Sequence, residues 1–284
     1  MLISLVIKLR PTTTATVPTF TGRAAHAWFL DEVRTVNLEL AKSLHDTAPR
    51  RPFTVSSLWC PTCASHRGRL KVEPSQPCYL RITTLIPELT TCLAQQLTAD
   101  WAESTLQLTG VPFEIVGLTV DHEQHSQAGM TSYVNLVQRA QNAKPPQHVT
   151  LEFLSPTTFR RSPAPSTPFE DSSYDVPLPL PRLVFGGLLA LWNELAPQPF
   201  PWELEQFLQE CVVISRYRLH TELISFGGGR RGRVGGFVGT CRFAFRCNEP
   251  AWRRAVAVLV DFAPFAGIGW RTTMGLGQVR PGGF

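Results

Sequence analysis

Apolar residues along this chain fall into two successive copies of one pattern. Leu2 to Leu9 gathers β-branched and apolar residues at strand length and reads as a first strand. Residues 22–35 then switch to helical spacing, with Ala25, Trp28, Phe29 and Val33 on one face. Asn37 is placed to cap a second short helix, Leu38 to Leu44. Phe53 to Trp59 and Tyr79 to Leu85 read as strands, Pro87 opens a helix that runs through Leu97, and Val111 to Val120 supplies a final strand. That order is β-α-β-β-α-β. After a proline-punctuated linker at residues 142–146 the pattern restarts. Its second copy has a strand over 148–154, helices over 184–195 and near 202–209, strands over 211–226 and 234–246, a helix over 249–262, and a last strand after Gly275. The predicted fold is α+β, two tandem ferredoxin-like domains over residues 1–141 and 147–284 with a C-terminal glycine-rich loop. Ser162 to Pro181 is dense in proline and reads as an irregular insertion.

Charge sharpens this reading. The chain carries only +5 overall, but from Ser215 onward it holds eleven arginines and no lysine against Glu222, Glu249 and Asp261. Arginine offers phosphate a planar fork and can stack on bases, so the excess points to nucleic acid. No amphipathic basic helix accompanies it, and no membrane partner is expected. Met1 to Ile7 is apolar but short and runs into Lys8 and Arg10, so it reads as a strand in a cytoplasmic protein rather than a signal or a span. Seven cysteines in 284 residues do not indicate a disulfide scaffold. Cys60-x-x-Cys63 with His66 lacks a fourth ligand at usual spacing, so reduced thiols and no metal site are expected. No cofactor is expected either.

Two segments carry candidate binding chemistry. Gly267-Ile268-Gly269 and Gly275-Leu276-Gly277 bracket Arg271, Thr272 and Thr273. Glycine permits positive φ and close backbone approach, and successive exposed amides form an anion-binding concavity. No βαβ unit follows, as a dinucleotide fingerprint requires, and no Gly-Lys-Ser/Thr triplet marks a nucleoside-triphosphate loop. A phosphate-binding loop remains. Phe226 to Phe237, with Arg230, Arg231 and Arg233 among glycines, lies between two strand-like runs and reads as a cationic hairpin tip.

The glycine run, Leu44-His45 followed by Arg51-Pro52-Phe53-Thr54-Val55-Ser56, Phe153 to Arg160, and Pro181-Arg182-Leu183-Val184-Phe185 occur in an order that resembles one family. It is the CRISPR-associated repeat-processing endoribonuclease of the repeat-associated RNA-binding superfamily. The resemblance implies CRISPR repeat RNA as substrate, with other CRISPR effector subunits as a further partner class. It also implies metal-independent cleavage by the ribose 2′-hydroxyl, leaving a 5′-hydroxyl and a 2′,3′-cyclic phosphate. A non-catalytic RNA-binding subunit of an effector complex is the alternative it leaves open.

His45 matches the family's catalytic histidine. The tyrosine and lysine often found fifteen residues before and six after are here Leu30 and Arg51. His26 lies one helical turn before Leu30, on the same face, and could share acid–base work with His45. In one unbroken helix the two would stand roughly 28 Å apart, so a turn near Thr35 to Asn37 is required. Arg51 or Arg23 would hold the phosphate, and Arg160 and Arg161 join the candidate RNA contacts. His122 and His125 flank Glu123 in a polar loop and read as exposed. Scattered carboxylates and the lack of a Gly-x-Ser-x-Gly elbow leave no competing hydrolytic chemistry.

Overall fold

The computed structural model describes residues 1–46, 50–99, 101, 104–162, 173–226 and 232–283. It divides into two compact units: Met1–Ser132 with Thr273–Gly275, and Tyr133–Thr272 with Leu276–Phe284.

Unit 1 runs β1 (Leu2–Pro11), β2 (Ala15–Pro18), α1 (Gly22–Val36), α2 (Leu38–Asp46), β3 (Phe53–Val55), β4 (Ser65–His66), β5 (Arg69–Val72), β6 (Cys78–Thr84), α3 (Pro87–Ala99), β7 (Thr105–Leu108), β8 (Val111–Thr119) and β9 (Gly129–Thr131). Its main sheet is ordered β3-β6-β1-β8-β7, with β9 also pairing β1. Among the strands read from sequence this is the ferredoxin order, the first strand central between the third and fourth. Leu2 to Ile7 is buried throughout, and a strand covered on both faces is apolar almost throughout, Ser4 being the exception in that stretch. α1 buries Ala25, Phe29 and Val33, one residue per turn. Phe29 meets Phe53 of β3 at 5.1 Å between ring centroids.

Unit 2 runs α4 (Tyr133–Asn142), β10 (His148–Thr157), β11 (Phe159–Arg161), β12 (Tyr174–Val176), α5 (Pro181–Leu195), α6 (Glu203–Glu210), β13 (Val212–Ser225), β14 (Arg233–Phe245), α7 (Pro250–Ala266) and β15 (Val279–Pro281). Its sheet is ordered β13-β14-β10-β15, the same ferredoxin arrangement. Phe185 of α5 meets Phe243 of β14 edge to face, and within the helical layer Trp192 of α5 meets Phe262 of α7 in the same way. Both units are ferredoxin-like, as the order of elements predicted.

The structure adds elements to those predicted and corrects two expectations. β2, β5 and β4 form a small separate sheet unmarked by any long apolar run. Residues 133–142 are helical, burying Tyr133, Leu136 and Ala140. The proline-rich insertion ends in β12, which pairs with β11; residues 163–172 of that insertion lie outside the described residues. The thiols are not all reduced. Cys60 bonds Cys63, and Cys211 at the end of α6 bonds Cys247 beyond β14, with Cα separations of 5.3 and 5.6 Å that suit a disulfide. Cys78, Cys92 and Cys241 are free and buried.

Candidate active site and nucleic-acid interface

In unit 1 the candidate chemistry sits on α1, α2 and the start of β3. Thr21, just before α1, accepts a hydrogen bond at Oγ1 from the Leu58 amide, 2.8 Å. Gly22 begins α1 against the Met274 carbonyl, where a Cβ would come within 1.9 Å, so only glycine fits there. Four residues on, the half-buried ring of His26 lies parallel to Phe53, centroids 5.8 Å apart. Arg23, in the same first turn, is exposed.

The turn required near Thr35 to Asn37 is present. α1 stops at Val36, Asn37 is extended, and its Oδ1 accepts the Leu40 amide at 2.9 Å to start α2. That side-chain cap supplies one of the partners a new helix lacks. α2 packs back on α1 and carries buried Leu44 and then His45 in its last turn; the His45 side chain lies outside the described residues. Arg51 donates from Nη1 to the Leu44 carbonyl. A cation there meets the negative end of α2. Arg51 is thus held one residue from His45 along α2 and two from Phe53, on which His26 stacks.

Three carboxylates of α1 and α2 have partners among the described residues, and the Asp46 side chain lies outside them. Asp31 pairs with Arg34, Glu39 pairs with Lys42, and Glu32 accepts the Trp101 indole N–H. Among the described residues the metal-type cluster is Cys60, Cys63 and Cys78, with sulfurs within 4.8 Å of one another, two of them joined in the disulfide.

In unit 2 the glycine run serves packing as well as any anion. α7 ends at Gly267 (φ +68°), whose amide donates to Ala263. Ile268 N–H reaches the Gly277 carbonyl, Trp270 N–H the Thr158 carbonyl, and Gly277 N–H the Pro156 carbonyl. A Cβ on Gly277 would lie 2.0 Å from the Ile268 oxygen, and one on Gly269 would lie 2.4 Å from the Thr158 oxygen. Gly275, in unit 1, approaches the Ser57 backbone in the same way. Gly267, Gly275 and Gly277 are buried, and Gly269 is exposed. Thr272 and buried Thr273 sit in a 3-10 turn with Met274. The amide concavity expected from sequence is therefore narrowed, because several loop amides close hydrogen bonds within the fold.

What unit 2 presents outward is side chains. Arg271, at φ +57°, lies over the Trp270 ring at 4.0 Å and over the Phe226 ring at 4.3 Å. Arg160 covers Trp270 at 5.3 Å while its guanidinium is steadied by Asp175 at 2.9 Å. Guanidinium groups held against aromatic faces are oriented and only weakly hydrated. Arg161 and Arg233 are exposed, opposite Tyr174 and Ser225 in their ladders. Arg230 and Arg231 lie outside the described residues. Reasoning from sequence gave Trp270 and Phe226 no role. The available signal was an aromatic residue adjoining an arginine or a glycine run.

His125 departs from the exposed reading. Its ring is half-buried against Tyr79 and Trp59, at 5.2 and 5.9 Å, and its Nδ1 accepts the Gln127 amide. Burial, and then the positive charge of Arg81, hold its pKa below the ordinary imidazole value.

Fold and site together define the class: paired ferredoxin-like domains with a glycine-rich loop beside stacked arginines. The chain belongs to the CRISPR-associated endoribonuclease Cas6 family; that description matches residues 151–279, and the CRISPR Cas6 N-terminal domain matches residues 1–138. It is 27% identical over 184 residues to a CRISPR-associated endoribonuclease Cas6 of Mycobacterium tuberculosis (strain CDC 1551 / Oshkosh). That match covers 64% of this chain and 51% of the relative, so the chain spans about half the length of the curated relatives it matches. Among solved structures it is similar to a Cas6 (TTHB231) product complex, with TM-score 0.80, 28% identity and coverage of 99% of this chain and 100% of that one. It is also similar to Thermus thermophilus Cas6 (TTHB231), with TM-score 0.68, 26% identity and coverage of 99% and 98%. No helix among the described residues is long and apolar enough to cross a membrane.

Proposed function

We propose that this protein cuts CRISPR repeat RNA within precursor transcripts, without a metal ion, by attack of a ribose 2′-hydroxyl on the adjacent phosphate. The observation that carries the reading is the tie from Arg51 to the Leu44 carbonyl, beside His45 and near the His26–Phe53 stack. Family membership and likeness to a Cas6 product complex support the same substrate and reaction class.

The chemistry needs three services. One imidazole of the pair His26 and His45 removes the 2′-hydroxyl proton as the new P–O bond forms. The other donates a proton to the departing 5′-oxygen as the old P–O bond breaks. Arg51, with Arg23 one turn from His26, stabilises the doubly charged phosphorane between these events. The products are a 2′,3′-cyclic phosphate and a 5′-hydroxyl, so no water or metal-bound hydroxide takes part in strand scission. In unit 2, Arg160, Trp270 and Arg271 bind the RNA, together with Arg161, Arg233 and the threonines of the loop.

A repeat RNA with a single 2′-deoxyribose before the scissile phosphate tests the reaction. It should bind as the all-ribose RNA does and remain uncut. Cleavage of that RNA at the same bond would exclude the mechanism. Binding without cleavage of the all-ribose repeat would favour the non-catalytic subunit instead.

A further inference from the structure

Three cysteines of unit 1 converge on one corner at the start of β6, a grouping that the cleavage chemistry proposed above does not use. Strand pairing brings them there. Trp59 and Tyr79 form an antiparallel bridge, each amide donating to the other's carbonyl, at 3.0 and 2.8 Å. One step along that pairing sets Cys60 opposite Cys78, the first residue of β6. Cys60-Pro61-Thr62-Cys63 then turns back on itself, closed by the Cys63 amide donating to the Cys60 carbonyl at 3.4 Å. The Cα atoms of Cys60 and Cys63 stand 5.3 Å apart. All three sulfurs lie within 4.8 Å of one another. Cys78 is thus the further ligand that local spacing around Cys60 and Cys63 does not supply.

Exposure of the corner is graded. Cys78 is buried, while Cys60 and Cys63 are half-buried, which leaves an ion a path in from the turn side. Gln76 lies over the turn. Its Nε2 donates to the Thr62 carbonyl at 3.2 Å, and its Oε1 stands 3.4 Å from Cys63 Sγ. His66 is exposed on β4 and lies outside the cluster. Two of the sulfurs are joined in the Cys60–Cys63 disulfide. A dithiol opens that bond by exchange. One of its sulfurs bonds to a cysteine and releases the other cysteine; its second sulfur then displaces the first, leaving two protein thiols and one oxidised dithiol. Three thiols then share one corner. Tetrahedral zinc–thiolate bonds of about 2.3 Å set sulfurs about 3.8 Å apart, which this corner accommodates.

We propose that Cys60, Cys63 and Cys78, once reduced, bind a single zinc ion through three thiolates, with Gln76 Oε1 or water in the fourth position. Thiolates are soft ligands that favour zinc over hard cations such as magnesium or calcium. Binding exchanges protons for the ion, three leaving the thiols for each zinc held. Disulfide and ion are alternative closures of one turn, so the site opens to metal only where a reductant keeps Cys60 and Cys63 apart. The ion ties the turn to the start of β6 and takes no part in RNA scission. The site stands independently of the RNA-cleaving function proposed above.

Zinc titration of the untagged full chain tests it, with oxidised and phosphine-reduced protein side by side. The reduced chain should bind one zinc, and its melting temperature should rise with zinc concentration. The oxidised chain should do neither. Cobalt in place of zinc should give the visible absorption bands of a tetrahedral thiolate site. Cys63→Ser, at a half-buried position where folding is least at stake, should weaken zinc binding by more than the roughly 10–100-fold that a partner outside the ligand set is worth. Cys78→Ser should do the same, whereas Cys92→Ser, which alters another buried free thiol, should leave affinity unchanged. A reduced wild type that holds no zinc would overturn the site. Zinc affinity unchanged in Cys63→Ser and in folded Cys78→Ser would place the ion elsewhere and overturn it too. Oxidised and zinc-loaded chains should cut repeat RNA alike, so a chain that holds zinc and leaves the RNA uncut would fail the proposed function and spare the site.

Discussion

The two units share a topology and differ in what they do with the helix-free face of the sheet. In unit 1 that face holds Ser4, Thr54, Ser56, Arg81 and Thr83, all buried. Arg81 is 1% exposed, donates to Ser4 Oγ at 2.8 Å and to Gln127 Oε1 at 3.4 Å, and burial brings its pKa down to about 10. In unit 2 the corresponding face carries Arg216, Arg218 and Arg280 in the open. One residue type thus serves two ends. An arginine enclosed by hydroxyl and amide partners organises its own fold, and an exposed arginine keeps part of its guanidinium in contact with solvent.

The largest effect expected is at the glycines. Gly277→Ala should cost roughly 3 kcal/mol or more, since its Cβ would sit 2.0 Å from the Ile268 oxygen at φ +66°. Gly110→Ala, at φ +82° with nothing within 4 Å, should cost only about 1 kcal/mol. Equal losses in thermal unfolding would show that the loop yields and that close approach does not define it.

Next comes the arginine contrast. Arg81→Ala should destabilise the protein by about 3 kcal/mol, through a cavity and two orphaned hydrogen-bond partners. Arg218→Ala should leave the melting temperature unchanged. A thermally silent Arg81 variant would erase the distinction between the two faces.

Trp270→Ala should weaken repeat RNA binding by about 1–3 kcal/mol, the range for lost base stacking. Arg271→Ala should weaken it about tenfold, both variants remaining folded. Affinity unchanged in both would show that the Arg160–Trp270–Arg271 stack packs only internally.

The smallest effect is acid sensitivity at His125. Its folded pKa lies below the unfolded value of 6.5, so the folded state resists the proton. The stability this represents is complete above 6.5 and is lost as pH falls below that value toward the folded pKa. His125→Phe should therefore flatten the pH dependence of stability in that window. A parallel curve would place the acid loss elsewhere.

Much of the fold was legible because unit cores write long apolar runs. β1, β6, β10 and β14 bury consecutive or alternating apolar residues, and Asn37 announced α2 through a cap that the structure uses. β2, β4 and β5 were not legible, because two to four residues held by pairing with one another leave no periodic signal. α4 had a signal, Tyr133, Leu136 and Ala140 at helical spacing, but it adjoined a proline-rich linker. The Cys211–Cys247 bond joins positions 36 apart, a distance no local pattern encodes. Glycine spacing suggested an anion cradle, whereas the demand for glycine at 22, 275 and 277 comes from backbones crossing at under 3 Å of Cβ clearance. Sequence pointed to His26, His45 and Arg51. The Arg51–Leu44 tie and the His26–Phe53 stack depend on α2 folding back, which the spacing required but could not orient.

The most direct test is single-turnover cleavage of repeat RNA in excess chelator, comparing the wild type with the His26→Ala/His45→Ala variant. The wild type should cut at an undiminished rate and leave a 2′,3′-cyclic phosphate. The variant should bind the RNA and lose at least a hundredfold in rate, the lower end for positioned proton transfer. Cleavage by the wild type that stops in chelator, or a double variant that cuts as fast as the wild type, would contradict the account.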